Sequence, residues 1–388
     1  MMMNQLTNFN GRIYFFCLPR TEVEGGDQFQ HLSICLAEGL KELGISFFSN
    51  INYWQESPNS NEYLFRHSPD ITPNDCSIVV FSNNWFNSNY RLPENLFHPH
   101  RKYVTVYLDG NDNNEDYYQR PEYKKFDFVL RTHYNRHLNY PTNFYPWSFG
   151  ISNRILRELE DLPNFEDRKK QILINFRHWQ TGHPVRNVSS SLLIPAIREF
   201  LAINNSVDNK ANYSREPYHY LHWQQTGARH YPSYYQRLKN SLACACFGGF
   251  FVPTWAKNSG GLLNRNLQKV MTKLKFKSNT VVQWDSWRLW ESLAAGCTTF
   301  HLDFDQYGIN LPTMPTNWQH YIGIDLDNIT TAIERINDEP NILENIASEG
   351  RQWAIKNYSP VPTALRFLET IYQQPIIQKA AEYTSLKV

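Results

Sequence analysis

The stretch QWDSWRLWESLAAGCTTFHLDFD, residues 283–305, decides the fold of this chain. Apolar residues recur in its first half at helical spacing, and Gly296 follows them where a left-handed residue commonly ends a helix. Asp285 or Ser286 is the expected N-cap, because a short polar side chain can accept the unpaired backbone N–H groups of the first turn. Residues 298–302 favour a β-strand. The stretch therefore predicts a helix that leads directly into a strand, as in α/β domains.

The rest of the chain repeats this alternation of strand and helix. In the first half, strands are predicted at residues 12–18, 45–49, 77–82, 103–108 and 126–130, and a helix at 28–43. In the second half, strands are predicted at 171–176, 241–247 and 321–324, and helices at 185–201, 231–240, 329–337, 343–357 and 361–374. We therefore predict an α/β fold of two similar units with a crevice between them.

Size and composition restrict the class of protein. A chain of 388 residues with 41% hydrophobic side chains is large enough for two cores. Its 38 Lys and Arg residues nearly balance 37 Asp and Glu residues, and the net charge of +1 argues against a nucleic-acid partner. The six cysteines form no CxxC pair, and neither a signal peptide nor a spanning apolar stretch is visible. We therefore expect a cytoplasmic protein.

Lysines are concentrated in one predicted helical segment, residues 257–277. They are Lys269, Lys273, Lys275 and Lys277. A solvated helix face is the preferred interpretation. Contact with a phosphate or a membrane surface is the alternative, so any membrane contact is expected to be peripheral.

Side chains of the opening stretch follow the order of a known motif. Ser286, Arg288 and Glu291 precede an Ala-Gly-Cys run that ends at Cys297, and a strand and Asp303 follow. This order resembles the donor-binding motif of glycosyltransferases with the GT-B fold, most closely that of the exostosin family and its bacterial relatives. The resemblance implies two Rossmann-like domains that face each other across a cleft, and an enzyme that uses a nucleotide-sugar donor.

Other parts of the chain are similar to the same family. The Gly-Gly loop before the first helix, the pair Phe176-Arg177 with Arg186 downstream, and residues 350–359 all fit its pattern. The resemblance implies four regions: an N-terminal acceptor-side domain (1–150), a linker (151–168), a C-terminal donor-side domain (169–359), and a helix that crosses back to the N-terminal domain, followed by a tail (360–388).

The resemblance assigns donor binding to six side chains, Glu291, Arg288, Ser286, Arg186, Arg177 and Trp284. A carboxylate such as Glu291 can accept both ribose hydroxyls, and guanidinium groups offer forks of donors to a diphosphate. Ser286 and the helix N-terminus can supply neutral donors to a phosphate, and Trp284 can stack on a base. Each role has an ordinary alternative. Glu291 can be a solvated helix residue, Arg288 its ion-pair partner three positions earlier, and Trp284 packing at the helix start.

The segment Asp303-Phe-Asp305 resembles a metal-binding DxD motif. Sites of the GT-B type usually stabilise the leaving diphosphate with arginines and helix ends instead. No His or Cys cluster has zinc spacing along the sequence. We therefore expect no metal and no cofactor beyond the nucleotide-sugar co-substrate. Many retaining enzymes carry two glutamates eight positions apart here, and Gln283 at the earlier position weakens a retaining mechanism without establishing inversion.

An inverting transfer needs a base beside the acceptor hydroxyl, on cleft-facing loops of the first domain. Asp109 follows a predicted strand, and Asp27 follows the first strand with His31 close behind it. These three residues are the catalytic candidates, because carboxyl ends of parallel strands line ligand crevices. The alternatives are structural. Asp27 can be the N-cap of the first helix, and Asp109 can belong to an Asp-Gly turn.

The sequence thus predicts a metal-independent glycosyltransferase that moves a sugar from a nucleotide-sugar, more specifically a UDP-sugar. The acceptor is unidentified, and a glycan, a small metabolite or a peptide all fit. Two rival hypotheses keep the same fold. A non-catalytic protein would bind a glycan or sugar nucleotide without transfer, and a sugar-nucleotide epimerase would convert the donor with no acceptor present.

Overall fold

Two parallel β-sheets organise the chain, one from its first half and one from its second. The computed structural model describes residues 9–19, 29–82, 84–88, 90–112, 121–176, 184–208, 212–253, 270, 277–339 and 341–372. The α/β fold predicted from the alternation of strands and helices is confirmed.

The first sheet contains six parallel strands. They are β1 (Ile13–Phe16), β2 (Phe47–Ser49), β5 (Ile78–Ser82), β6 (Val104–Asp109), β7 (Phe128–Arg131) and β8 (Phe144–Pro146), while β3 (Tyr53–Gln55) and β4 (Tyr63–Phe65) form a separate antiparallel hairpin. The strand order is β2-β1-β5-β6-β7-β8. Apolar side chains of these strands are buried on both faces, which is typical of a parallel sheet.

The second sheet contains five parallel strands. They are β9 (Lys169–Leu173), β10 (Ala202–Asn204), β11 (Ser241–Ala245), β14 (Thr298–Leu302) and β15 (Ile322–Ile324), while β12 (Phe250–Phe251) and β13 (Val281–Val282) form a short antiparallel pair. The strand order is β10-β9-β11-β14-β15. The chain therefore reverses direction across the sheet between β9 and β11.

Helices connect most of these strands. Those of the described residues are α1 (His31–Glu42), α2 (Asn84–Asn87), α3 (Asn153–Glu158), α4 (Pro184–Ile197), α5 (Pro217–Gln225), α6 (Pro232–Lys239), α7 (Trp287–Ala294), α8 (Ile329–Asp338), α9 (Ile342–Tyr358) and α10 (Pro360–Tyr372). The helix predicted at 257–277 lies outside the described residues except for Val270 and Lys277. None of the described helices is both long enough and apolar enough to cross a membrane.

Helix α10 returns to the first half of the chain. Phe367 and Leu368 are buried in the same core cluster as Leu36 of α1. Gly39 permits the close approach of the two helices, because a Cβ atom there would lie 2.0 Å from the carbonyl oxygen of Pro360. The C-terminal helix therefore closes one core with the N-terminal sheet. The domain limits placed at residues 150, 168 and 359 stay predictions, and the tail predicted after the helix lies outside the described residues.

The opening stretch forms the predicted helix and strand, α7 and β14. Gly296 has a φ of +62°, and the N–H groups of Gly296 and Cys297 donate to the carbonyls of Leu293 and Ser292. These two bonds define a Schellman motif, which confirms the predicted end of the helix. Ser286 holds the N-cap position, which is one of the two predicted, but its side chain forms no cap hydrogen bond, contrary to the expectation.

Candidate functional site

The two sheets meet beside the start of α7. Asn135 of the first half donates its side-chain N–H groups to the carbonyls of Val281 (2.9 Å) and Tyr307 (2.8 Å). The carboxylate of Asp285 accepts the backbone N–H of Phe149 at 2.9 Å. Ligands of open α/β sheets bind beyond the carboxyl ends of strands where the strand order reverses. In the second sheet that point lies next to β9 and β11, and the side chains there define the candidate site.

Two arginines predicted to bind the donor lie together beyond β9. Arg186 on α4 and Arg288 on α7 each place the guanidinium carbon 5.6 Å from the ring centroid of Phe176. Arg186 also donates through Nε to the carbonyl of Phe247 at 3.1 Å. Within the described part of the chain neither arginine forms an ion pair, and the buried Nε of Arg288 has no hydrogen-bond partner. The alternative ion pair between Arg288 and Glu291 is therefore wrong.

Electrostatics make this arginine pair unusual. Burial, and then the neighbouring charge of Arg288, lowers the pKa of Arg186 to about 10, while Asp112 acts in the opposite direction. Two like charges in a partly buried place are costly unless an anion lies between them. A diphosphate would supply that anion and would accept hydrogen bonds from both guanidinium groups.

The N-terminus of α7 opens beside the arginines. The hydroxyl of Ser286 is buried and, among the described residues, has no hydrogen-bond partner. Unpaired N–H groups of a first helical turn attract anions. The loop after β11 requires glycine at position 249. Gly249 has a φ of +99°, and a Cβ atom there would lie 2.1 Å from the carbonyl oxygen of Val282. The structure thus brings Ser286, Arg288 and Arg186 to one place, and their donor-binding roles stay predictions.

Glu291 lies one helical turn further along α7 and is 7% exposed. Its Oε2 accepts the hydroxyl of Tyr234 at 2.9 Å, and its Oε1 accepts the hydroxyl of Tyr235 at 2.8 Å. The alternative of a solvated glutamate is therefore wrong. Ribose binding by Glu291 stays a prediction, and it remains compatible with the two tyrosines because a carboxylate has about four acceptor sites.

Two further donor candidates have different outcomes. Trp284 is fully buried (0% exposed), and its indole N–H donates to the carbonyl of Tyr134 at 3.1 Å. This burial leaves no ring face for a base, so the stacking role is contradicted and the packing alternative is supported. Arg177 lies outside the described residues.

Two of the three catalytic candidates of the first half, Asp109 and His31, lie in the described part of the chain, and both are buried. Asp109 is buried in an ion pair with Arg131, so the structure gives this carboxylate a structural partner in place of an acceptor. His31 is buried as well, and burial, followed by the charge of Arg154, lowers its pKa to about 3. An imidazole with so low a pKa is a weak base at neutral pH. Asp27 lies outside the described residues.

Asp112 is a carboxylate that was not among the candidates predicted from the sequence. It is 61% exposed, and its Oδ1 lies 3.4 Å from Nε2 of the fully buried His133. His133 Nδ1 accepts the backbone N–H of Asp285 at 3.0 Å, so the ring proton sits on Nε2, which is buried and forms no hydrogen bond with the described residues. His133 has a φ of +54°, and such backbone strain is often found at functional sites. Asp112 lies three residues after Asp109, the last residue of β6, and this position was the signal available in the sequence.

Three side chains could hold a metal ion, Glu158, His219 and His230. Their ligand atoms are 3.1, 3.3 and 3.4 Å apart. Ligands of a tetrahedral metal lie about 3.3–3.4 Å from one another. However, Arg154 donates to Nδ1 of His230 at 3.0 Å, which places the ring proton on Nε2, inside the triangle. The described geometry is therefore that of a hydrogen-bonded triad.

The DxD segment has a structural role in the described chain. Oδ1 of Asp303 accepts the backbone N–H groups of Asp305 (2.8 Å) and Gln306 (3.0 Å), and its Oδ2 accepts the side chain of Asn317 at 2.6 Å. Asp305 is exposed and pairs with Arg136. These contacts shape the turn after β14.

Comparison with known proteins identifies the fold. No protein-family profile and no curated protein sequence matches the chain. Among solved structures, an α-glucosyltransferase in complex with UDP-glucose and DNA containing an abasic site has a TM-score of 0.50 at 10% identity, over 94% of this chain and 100% of that chain. AviGT4, a glycosyltransferase involved in avilamycin A biosynthesis, has a TM-score of 0.48 at 11% identity, over 92% of this chain and 96% of that one. The chain thus has the predicted GT-B type fold, with two Rossmann-like domains.

Proposed function

We propose that this protein is a glycosyltransferase that moves a sugar from a nucleotide-sugar, in the first instance a UDP-sugar, to an acceptor hydroxyl. The observation that carries the proposal is the pair Arg186 and Arg288, which both lie against Phe176 beyond β9 without an ion-pair partner among the described residues. A diphosphate group matches the charge and the donors of this pair. The order Ser286, Arg288, Glu291 supports an exostosin-like relationship.

The donor would extend from the arginines toward Glu291. Its diphosphate would lie between Arg186 and Arg288, at the N-terminus of α7, and its ribose hydroxyls would donate to Glu291. As the anomeric C–O bond breaks, negative charge grows on the leaving diphosphate. Two fixed guanidinium groups and helix N–H groups stabilise that charge without a metal, which is the reason to propose metal independence.

Asp112 is the proposed base for an inverting transfer. Its carboxylate would take the proton of the acceptor hydroxyl while the acceptor oxygen bonds the anomeric carbon and the nucleoside diphosphate leaves. His133, held by the backbone of Asp285, would orient this carboxylate. Asp112 is preferred to Asp109, because the latter is buried in an ion pair. The DNA bound by the α-glucosyltransferase is not extended to this chain, whose net charge is +1.

A panel of sugar nucleotides tests the proposal. We expect UDP to stabilise the protein thermally and at least one UDP-sugar to release UDP, both in the presence of EDTA. A mixture of glycans, small metabolites and peptides should increase the release. Binding without release would favour a non-catalytic protein, and conversion of the donor sugar without any acceptor would favour an epimerase. No stabilisation by any nucleotide would overturn the proposal.

A further inference from the structure

Arg154, in the short helix α3 between the two sheets, is a buried cation that the proposed reaction does not use. It is 4% exposed, and within the described residues it forms no direct ion pair with a carboxylate. A buried guanidinium is costly unless its N–H groups and its charge are both satisfied. The contacts of Arg154 therefore indicate its role.

One contact leads to the proposed ribose site. Nη1 of Arg154 donates to the hydroxyl oxygen of Tyr235 at 2.8 Å, and that hydroxyl lies 2.8 Å from Oε1 of Glu291. Arginine has no acceptor, so the Tyr235 oxygen must accept from it, and the only proton of the hydroxyl is left for Glu291. The direction of the chain from cation to hydroxyl to carboxylate is thereby determined.

The second contact acts in the same way on the other side. Arg154 donates to Nδ1 of His230 at 3.0 Å, so the ring proton sits on Nε2, 3.4 Å from the carboxylate of Glu158. The charge of Arg154 is thus shared between two carboxylates, Glu158 and Glu291, each reached through one intermediate side chain. Hydrogen bonds in such a buried chain strengthen one another.

The neighbouring residue connects this chain of bonds to the first sheet. The backbone N–H of Asn153 donates to Oε2 of Glu38 on α1 at 2.7 Å. Helix α3 therefore carries one bond toward the N-terminal half and, one residue later, the arginine that reaches Glu291.

We propose that Arg154 is a positioning residue that orients Glu291 through Tyr235 and so determines how strongly the site discriminates for the ribose hydroxyls of the donor. The proposal rests on the proposed function, because it assigns to Glu291 the ribose of a nucleotide-sugar. It differs from a structural role in one respect. A structural arginine affects stability alone, whereas this arginine affects the preference for a hydroxylated ribose.

The test compares the dissociation constants of UDP and 2′-deoxy-UDP by calorimetry. A hydrogen bond to a charged group contributes about 1.5–3 kcal/mol, so we expect the wild-type protein to prefer UDP by about tenfold or more. Arg154→Met and Tyr235→Phe should each reduce this preference to about threefold or less. The double variant should lose no more than either single variant, because both act on one chain of bonds. Arg154→Lys, which keeps a cation and a donor, should recover part of the preference.

Arg101→Met is the matched control. Arg101 is a partly buried arginine of the first half, paired with Asp127 at 2.6 Å and remote from Glu291. We expect it to lower the melting temperature and to leave the preference for UDP intact. If Arg154→Met does not fold, Arg154→Lys and Tyr235→Phe decide the question.

Two negative results are distinguishable. A wild-type preference that persists in Arg154→Met, Arg154→Lys and Tyr235→Phe would overturn the positioning role and leave the proposed function standing. A wild-type protein that binds neither nucleotide would overturn the proposed function itself.

Discussion

The carboxyl ends of the two sheets both carry buried or half-buried arginines, in opposite circumstances. At the end of the first sheet, Arg131 is paired with Asp109, and both side chains are 1% exposed. At the end of the second, Arg186 and Arg288 both lie against the ring of Phe176, and neither forms an ion pair with a carboxylate of the described residues. The charge at the first sheet is neutralised within the protein, whereas the two cations at the second sheet have no such partner among the described residues. A charged residue at a strand end is therefore informative only together with its partner.

Arg131→Met should have the largest effect on stability. It leaves Asp109 as an uncompensated buried charge, so we expect the free energy of unfolding, measured in urea, to fall by about 3–5 kcal/mol. The double variant Arg131→Met/Asp109→Asn should recover part of this loss, because the buried charge is gone. An unchanged unfolding midpoint in the single variant would show that the pair of Arg131 and Asp109 does not stabilise the protein.

Glu38 extends the comparison, because it is another buried ionisable group of the first half. Burial raises its pKa to about 8, although the N–H of Asn153 and the charge of Arg154 oppose this and Glu42 and Glu56 add to it. The pKa of Glu38 in the folded protein lies above its value in the unfolded chain. The contribution of this carboxyl to stability is therefore fully present below about pH 4.5 and is lost as the pH rises through 8.

We expect the free energy of unfolding to fall by about 3 kcal/mol between pH 5 and pH 8 relative to Glu38→Gln, since one proton contributes at most about 1.4 kcal/mol per pH unit. Thermal unfolding of both proteins across this range measures the difference. If the stability of the two proteins changed with pH in the same way, the raised pKa of Glu38 would be contradicted.

Asp112→Asn tests whether the exposed carboxylate beyond the first sheet acts as the base. We expect kcat to fall by about 100-fold because the acceptor hydroxyl loses its base, while the dissociation constant of UDP stays within about twofold. Asp305→Asn is the control, since Asp305 is an exposed carboxylate paired with Arg136 outside the arginine pair. Equal losses of kcat in both variants, or none in Asp112→Asn, would remove Asp112 from the reaction.

Arg186→Met should have the smallest effect and the opposite sign on stability from Arg131→Met. It relieves repulsion with Arg288, so the ligand-free protein should keep its stability or gain about 0.5 kcal/mol. The affinity for UDP should fall about tenfold, because a charge-assisted hydrogen bond to the diphosphate is lost. Calorimetry and urea unfolding measure the two effects. A destabilised protein with unchanged UDP affinity would show that Arg186, like Arg131, has a structural role only.

Local patterns predicted the elements well, and contacts between distant segments explain what was missed. The helix and strand of residues 283–305 were predictable because capping, apolar spacing and Gly296 act within a few residues. The hairpin of β3 and β4, strand β8 and helix α5 were missed, since three-residue strands and an aromatic, histidine-rich helix lack a strong periodic signal.

The sequence by itself determined the alternation of strands and helices and the helix that bears Ser286, Arg288 and Glu291. Only the tertiary structure decided which charges have partners. Asp109 meets Arg131 across 22 positions, and Glu291 meets Tyr234 across 57. Because such pairs depend on how strands align and helices pack, the pattern of residues along the chain cannot distinguish a neutralised charge from one that remains available to a ligand.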